Sequence, residues 1–237
     1  MINESERRMN HRKTYFITGI DTDAGKTWVT GAFARYLKDR GCSVVTQKIA
    51  QTGCRETSED IERHREMMGV GSLEEDAQGL TCPFIFTVPC SPHLAAEIDG
   101  AEIDPEKITA ARRELEKRYQ YVLCEGVGGL CVPLNRKEYL LDWLARQDLP
   151  VVLVTSGKLG SINHTVMSLE LCRHRGLDVA AVVYNYYPDV LPAIEADTVR
   201  VIQDYLRENI PGCRFIRLGD LRRTGYDSGD FSALVGF

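Results

Sequence analysis

The chain has 237 residues, 43% of them hydrophobic and 27% charged, a balance that excludes collagen-like, disordered and coiled-coil chains. Its 29 basic and 34 acidic side chains give a net charge of −5, which argues against a general nucleic-acid binder with its basic footprint. No apolar run approaches membrane-spanning length, and the best, Leu149–Val154, suits a buried strand, so a cytoplasmic protein with no nucleic-acid or membrane partner is expected.

The start, Met1–Lys13, is polar and carries Arg7, Arg8, Arg12 and Lys13. It lacks the apolar stretch of a signal peptide and is expected to be a disordered tail. From residue 14 onward, short β-rich runs alternate with helical periodicity. The first run is Thr14–Thr18; after it Val29, Ala32, Phe33, Tyr36 and Leu37 follow helical spacing, with Gly41 as a stop. Ser43–Gln47 is a second run and Pro83–Phe86 a weaker one. Asp104-Pro105 signals a helix start, with Asp as N-cap and Pro in the first turn. Further runs lie at Tyr121–Cys124, Val151–Thr155, Val179–Tyr184 and Arg214–Leu218, and Ile194, Val201, Ile202 and Tyr205 repeat the helical theme after Pro192. The segment Arg222–Phe237 shows no readable pattern. None of the eight cysteines forms a C-x-x-C pair, and the five histidines show no zinc spacing, so the cysteines read as small hydrophobes. Strands alternating with helices imply crossover connections. Residues 14–237 are therefore expected to form a single doubly wound α/β domain, its mainly parallel sheet flanked by helices.

In such a fold ligands bind beyond the carboxyl ends of the strands, so the residues following each strand carry the functional reading. After the first strand comes Gly19-Ile20-Asp21-Thr22-Asp23-Ala24-Gly25-Lys26-Thr27. Gly25 allows a tight turn, and the helix behind it offers N–H groups and a partial positive end to an anion. Lys26 suits phosphate oxygens and the Thr27 hydroxyl suits Mg²⁺. The two glycines enclose five residues instead of the usual four.

After the second strand comes Lys48, then Gln51-Thr52-Gly53; a cation at a strand end calls for an anion or polar substrate. Glu125 directly follows an apolar strand, where an acid can hold Mg²⁺ or its water, with Gly126-Val127-Gly128-Gly129 behind it. Asp60, at an expected helix start, is equally an ordinary dipole partner. His93 and His164 admit acid–base work or plain capping and packing.

These stretches resemble the ATP-dependent dethiobiotin synthetases. The similarity is carried by Phe16–Thr27, Gln47-Lys48-Ile49-Ala50-Gln51-Thr52-Gly53, Ser91-Pro92-His93, Glu125–Gly129, Asp142-Trp143, Leu149–Val154 and Lys158-Leu159-Gly160-Ser161-Ile162-Asn163-His164, in the family's order. The long-spaced glycine loop is itself a trait of that family. The resemblance implies a P-loop NTPase fold and an ATP-dependent ligase acting on 7,8-diaminononanoate and CO₂. A carbamate would be phosphorylated by ATP, and the second amine would then close the ureido ring, giving dethiobiotin, ADP and phosphate. It further implies Lys26, Lys48 and Thr22 in catalysis, and Asp23, Ala24, Gly25, Lys26, Thr27 and Asn185 at the nucleotide, Asn185 reading adenine. Lys48, Thr52, Gly128 and Gly129 would meet the substrate, with Gly160, Ser161, Ile162 and Asn163 supplied by a partner subunit of a homodimer. Thr27, Asp60 and Glu125 would hold Mg²⁺.

The chain departs from the family at three places. Many relatives have Lys-Pro where Lys48-Ile49 stands, which changes backbone stiffness. Asp23 is Glu in some. The Ile-Pro turn that frames the base is replaced by Ile216-Arg217-Leu218-Gly219-Asp220-Leu221. Two other readings stand beside the ligase: a related P-loop regulatory ATPase, and a nucleotide-binding relative that has lost activity.

Overall fold

The protein is described by a computed structural model over residues 13–188, 190–219 and 230–235. Strand β1 (Lys13–Gly19) leads through a loop into helix α1 (Lys26–Asp39). After β2 (Val44–Lys48) come β3 (Gln51–Thr52), α2 (Glu59–Met68), α3 (Glu74–Ala77), β4 (Ile85–Phe86), α4 (Pro92–Ile98) and α5 (Pro105–Arg118). β5 (Tyr121–Gly129), α6 (Leu140–Leu144), β6 (Val151–Ser156), α7 (Ser161–His174), β7 (Val179–Asn185), α8 (Pro192–Asn209), β8 (Arg214–Leu218) and α9 (Ser232–Val235) follow.

Six of the strands form one sheet in the order β2-β5-β1-β6-β7-β8, every neighbouring pair parallel. The doubly wound expectation is met. The weaker run at Pro83–Phe86 contributes only Ile85–Phe86, paired with β3 in a separate two-stranded sheet. Lys13 is not tail: it opens β1, its N–H donating to the Gln120 carbonyl at 2.9 Å, while residues 1–12 of the expected tail lie outside the described residues.

Alternation along each strand sorts the core into two layers. On one face Tyr15, Ile17, Leu123, Val152 and Val154 pack against Val29, Phe33 and Leu37 of α1 and Met67 of α2. On the other, Phe16, Val122, Cys124, Val151 and Leu153 meet Ile108 and Leu115 of α5, Trp143 of α6, Leu169 of α7 and Ile202 of α8. α5 begins as its sequence signals, with the Asp104 carboxylate accepting from the Glu106 N–H at 2.9 Å and Pro105 in the first turn.

Two contacts position the site. α1 and α2 cross where Gly31 faces Met67; a Cβ on Gly31 would lie 2.4 Å from the Met67 sulfur, so a larger residue there would have to push that side chain aside. Of the C-terminal segment, unreadable in sequence, residues 230–235 pack beneath α1. Phe231 stacks on Phe33 with centroids 4.6 Å apart, and the Tyr15 hydroxyl donates to the Leu234 carbonyl at 2.6 Å.

Candidate functional site

Because the strands are parallel, the ends of β1, β2, β5, β6 and β7 share one rim. A cleft of about 820 Å³ opens there, lined by Thr22, Asp23, Gly25, Lys26 and Thr27 on one side and by Lys48, Thr52, Asp60, Glu125 and Gly128 on the other. Asn185, Trp28, Cys90 and Tyr187 also line it.

The first wall is the loop from β1 into α1. Gly25 caps the helix with φ at +99°, a left-handed conformation that favours glycine, and among the described residues no side chain caps the first N–H groups of α1. A Cβ there would also strike the Asn185 amide, which donates to the Ala24 carbonyl at 3.1 Å and so ties β7 to the loop. Ala24 is buried behind the loop. The Lys26 ammonium turns back on the Asp21 carbonyl at 3.0 Å and meets no carboxylate within ion-pairing distance among the described residues. Burial, reinforced by repulsion from Lys48, lowers its pKa to about 8, against the weaker pull of Glu125, Asp60 and Asp21.

The second wall is a buried ionic cluster. Lys48 and Glu125 stand opposite each other on adjacent strands, 5% and 0% exposed. The Lys48 ammonium lies 2.8 Å from Glu125 Oε1, 2.7 Å from Asp60 Oδ2 and 3.1 Å from the Gly126 carbonyl. Burial opposes its charge, but Glu125 and Asp60 outweigh that and hold its pKa above the usual lysine value. Burial likewise pushes the Glu125 carboxyl up, but Lys48 and a hydrogen bond from His64 overcome it and hold it well below the usual range. The Thr27 hydroxyl bridges the walls, 2.9 Å from Asp60 Oδ1 and 3.1 Å from Glu125 Oε1.

Thr27, Asp60 and Glu125 thus form a set of hard oxygen donors around a point now faced by the Lys48 ammonium. Among the described residues no group of three or more His, Cys, Asp or Glu makes a full metal cage. One hydroxyl and two carboxylates suit a cation such as Mg²⁺ that keeps several waters.

The sequence placed Glu125 after its strand; it is instead inside β5, which continues to Gly129. The acid is tolerated in mid-strand because three side chains meet it there, and Gly129 still pairs with Gly19 across the sheet. Gly129 supports the rim without lining the cleft. Asp60 does sit at the expected helix start, behind the Ser58 N-cap, yet it also reaches Lys48. Gly160, Ser161, Ile162 and Asn163 form the start of α7 but do not line the cleft; Ser161 is buried, its hydroxyl 3.2 Å from that of Ser156. His93 and His164 do not line it either. The residue missed is His64, fully buried, with Nε2 2.8 Å from Glu125 Oε2. Its signal was the spacing Asp60–His64, one helical turn on one face.

The family model described as an AAA domain matches residues 13–213. The chain is 49% identical to the ATP-dependent dethiobiotin synthetase BioD 2 of Pasteurella multocida, over 86% of this chain and 95% of that one. It is 49% identical to the ATP-dependent dethiobiotin synthetase BioD of Chlorobaculum tepidum, over 81% and 80%. Among solved structures, a chain of the MinC:MinD cell division protein complex of Aquifex aeolicus superposes with a TM-score of 0.53 at 13% identity, covering 91% of this chain and 85% of that one. That likeness is one of fold alone. With a phosphate-loop sheet of this topology and relatives matched over at least four fifths of both chains at about half identity, the chain belongs to the ATP-dependent dethiobiotin synthetase family.

Proposed function

We propose that this cleft converts 7,8-diaminononanoate, CO₂ and ATP into dethiobiotin, ADP and phosphate, with Mg²⁺ as cofactor. The observation that carries the reading is that Lys26 and Lys48 line one cavity, its two walls joined by the Thr27 hydroxyl's contacts with Asp60 and Glu125. A carbamate and a triphosphate are both anions, and phosphoryl transfer between them depends on positioning and charge compensation. Two ammonium groups from different elements, with an oxygen-donor set between them, supply that compensation.

In this scheme one substrate amine adds to CO₂ and loses a proton, forming a carbamate beside Lys48 and Thr52. Lys26 and the free N–H groups of α1 hold the β- and γ-phosphates, and Thr22 and Asp23 border them. The carbamate oxygen takes the γ-phosphoryl group, releasing ADP. The second amine then attacks the carbamoyl carbon, the C–O bond to phosphate breaks, and the ring closes. Mg²⁺, held by Thr27, Asp60 and Glu125, would supply charge neutralisation at the transferred phosphoryl. Lys26, under-compensated in the free protein, gains its counter-charge from the nucleotide. Gly128 lets backbone approach the substrate, backed by Gly129. Asn185, already fixed between β7 and the loop, would meet the adenine base.

Residues 14–237 act as one ligase domain in this reading. The start of α7 lies outside the cleft, which supports a homodimer in which Gly160, Ser161, Ile162 and Asn163 of one subunit hold the substrate carboxylate in the other's site. The acidic net charge, and the lack among the described residues of any helix long and apolar enough to cross a membrane, favour a cytoplasmic location.

The test is incubation with 7,8-diaminononanoate, bicarbonate, Mg²⁺ and each nucleoside triphosphate in turn. A cyclic urea of dethiobiotin's mass is expected with ATP. Nucleotide hydrolysis with no ring product from any triphosphate would defeat the proposal and favour the regulatory ATPase.

A further inference from the structure

His64 stands one turn after Asp60 on α2, faces inward, and does not line the cleft. Its ring is fully buried, and Nε2 lies 2.8 Å from Glu125 Oε2. An ionised carboxylate only accepts, so Nε2 carries the hydrogen and donates. Glu125 is thereby divided between two jobs. Oε1 serves the cleft, where the Lys48 ammonium and the Thr27 hydroxyl meet it at 2.8 and 3.1 Å. Oε2 is reserved for His64.

The other ring nitrogen supports the same assignment. Among the described residues, His64 Nδ1 is buried with no hydrogen-bond partner. A buried imidazole kept only for packing is normally bonded at its polar atoms. Among the described residues the one polar contact of the ring is with Glu125, so an unsatisfied nitrogen is tolerated for the sake of that contact. α2 therefore brings in both Asp60 and the group that orients the facing carboxylate.

We propose that His64 is a positioning residue: by holding Oε2 of Glu125 it aims Oε1 into the cleft and thereby sets the affinity of the Thr27–Asp60–Glu125 oxygens for a divalent cation, without touching nucleotide or substrate. This rests on the reading of those oxygens as a cation site. Outer partners that orient a metal-binding side chain typically govern affinity by about 10–100-fold.

The experiment titrates Mn²⁺ into the full-length protein with saturating ADP, followed by electron paramagnetic resonance, for wild type, His64→Leu, His64→Gln and His64→Asn. ADP affinity is measured separately in EDTA, and thermal unfolding fixes a temperature at which every variant compared is folded. His64→Leu should weaken Mn²⁺ at least about tenfold and leave metal-free ADP binding within about twofold of wild type. His64→Gln, whose amide N–H can reach Glu125, should recover most of the loss, and the shorter Asn should not. If Leu fails to fold, the contrast between Gln and Asn decides alone. Mn²⁺ affinity near wild type in His64→Asn, or equal in the Gln and Asn variants, would overturn the proposal whatever their melting temperatures, since a packing role alone lowers stability without tracking the N–H. Wild-type protein that binds neither Mn²⁺ nor ADP would overturn both this inference and the cation site. Wild type that binds both yet closes no ring would fail only the assigned reaction.

Discussion

The two lysines of the cleft are both buried, yet they stand in opposite electrostatic situations. Lys48 is held by two carboxylates and a carbonyl, and its charge is favoured despite its burial. Lys26 has one carbonyl for company, and burial with its neighbour's repulsion lowers its pKa to about 8. One lysine belongs to a finished network; the other waits for an anion. Removing the first should therefore cost stability as well as chemistry, and removing the second chemistry alone.

The largest expected effect follows from Lys48→Gln. It leaves Glu125 and Asp60 as neighbouring buried or half-buried carboxylates without their cation, a loss of about 3–5 kcal/mol when one member of a buried pair is deleted. Urea unfolding reads it directly, and turnover should also collapse. In the double variant Lys48→Gln/Glu125→Gln, much of the lost stability should return. A single variant as stable as wild type would show that the ion pairs on this wall carry no weight.

Lys26→Gln is the contrasting case. It removes an under-compensated charge, so stability should hold or rise slightly. Losing one preorganised charge contact to the transferring group should lower kcat by roughly 10²–10³. Steady-state kinetics beside thermal unfolding separate the two quantities. If Lys26→Gln unfolded as readily as Lys48→Gln, the distinction drawn between the lysines would fall.

The same asymmetry explains what could be read from the sequence. The loop around Lys26 is local: strand, glycine, lysine, threonine and helix are contiguous from Thr14 to Leu37, so spacing alone exposed it. The Lys48 wall is assembled from β2, α2 and β5, with Lys48 and Glu125 77 residues apart. Each residue was visible as a charge near a strand end or helix start, but their pairing was not. Glu125 was set one step outside its strand because an acid followed by three glycines in four residues has the composition of a loop. His64 escaped because its partner lies on another element. The clamp at Phe231 escaped because four helical residues display no period. The start of α7 was legible as a helix terminus, but nothing in one chain brings it to the cleft.

α2 is itself anchored on the side away from the site. The Arg65 guanidinium donates to both oxygens of Asp76, at 3.0 and 2.7 Å, and to the Thr46 hydroxyl of β2 at 2.9 Å. Burial by itself would raise the Asp76 carboxyl, but Arg65, the Leu73 N–H and the Thr81 hydroxyl hold it below its usual range. A carboxyl lowered on folding contributes stability above its unfolded pKa, near 4, and loses it as pH falls through the folded value. Asp76→Asn should therefore cost about 2 kcal/mol at pH 7, as for a charge-assisted hydrogen bond. The gap to wild type should shrink steadily below pH about 4. A gap constant from pH 7 to 3 in denaturant titrations would place the effect elsewhere.

The smallest effect tests how Lys48 is held. Ile49, where relatives often carry proline, is fully buried, and its N–H donates to the Glu125 carbonyl at 3.1 Å. That backbone bond keeps the residue after Lys48 in line with β5. Ile49→Pro deletes that donor, keeps an apolar ring in the core, and leaves every side-chain contact of Lys48 in place. One neutral hydrogen bond is worth about 1 kcal/mol, which for a chain of this size lowers the melting temperature by about 2–4 °C. Turnover should change by less than about fivefold, since about 1 kcal/mol, even if all of it reached the transition state, is a factor of about five. A loss of activity comparable to that of Lys48→Gln would mean that the backbone, rather than the two carboxylates, fixes the ammonium. The contrast between a lysine held by its neighbours and one left open for its ligand would then have to be redrawn around Ile49.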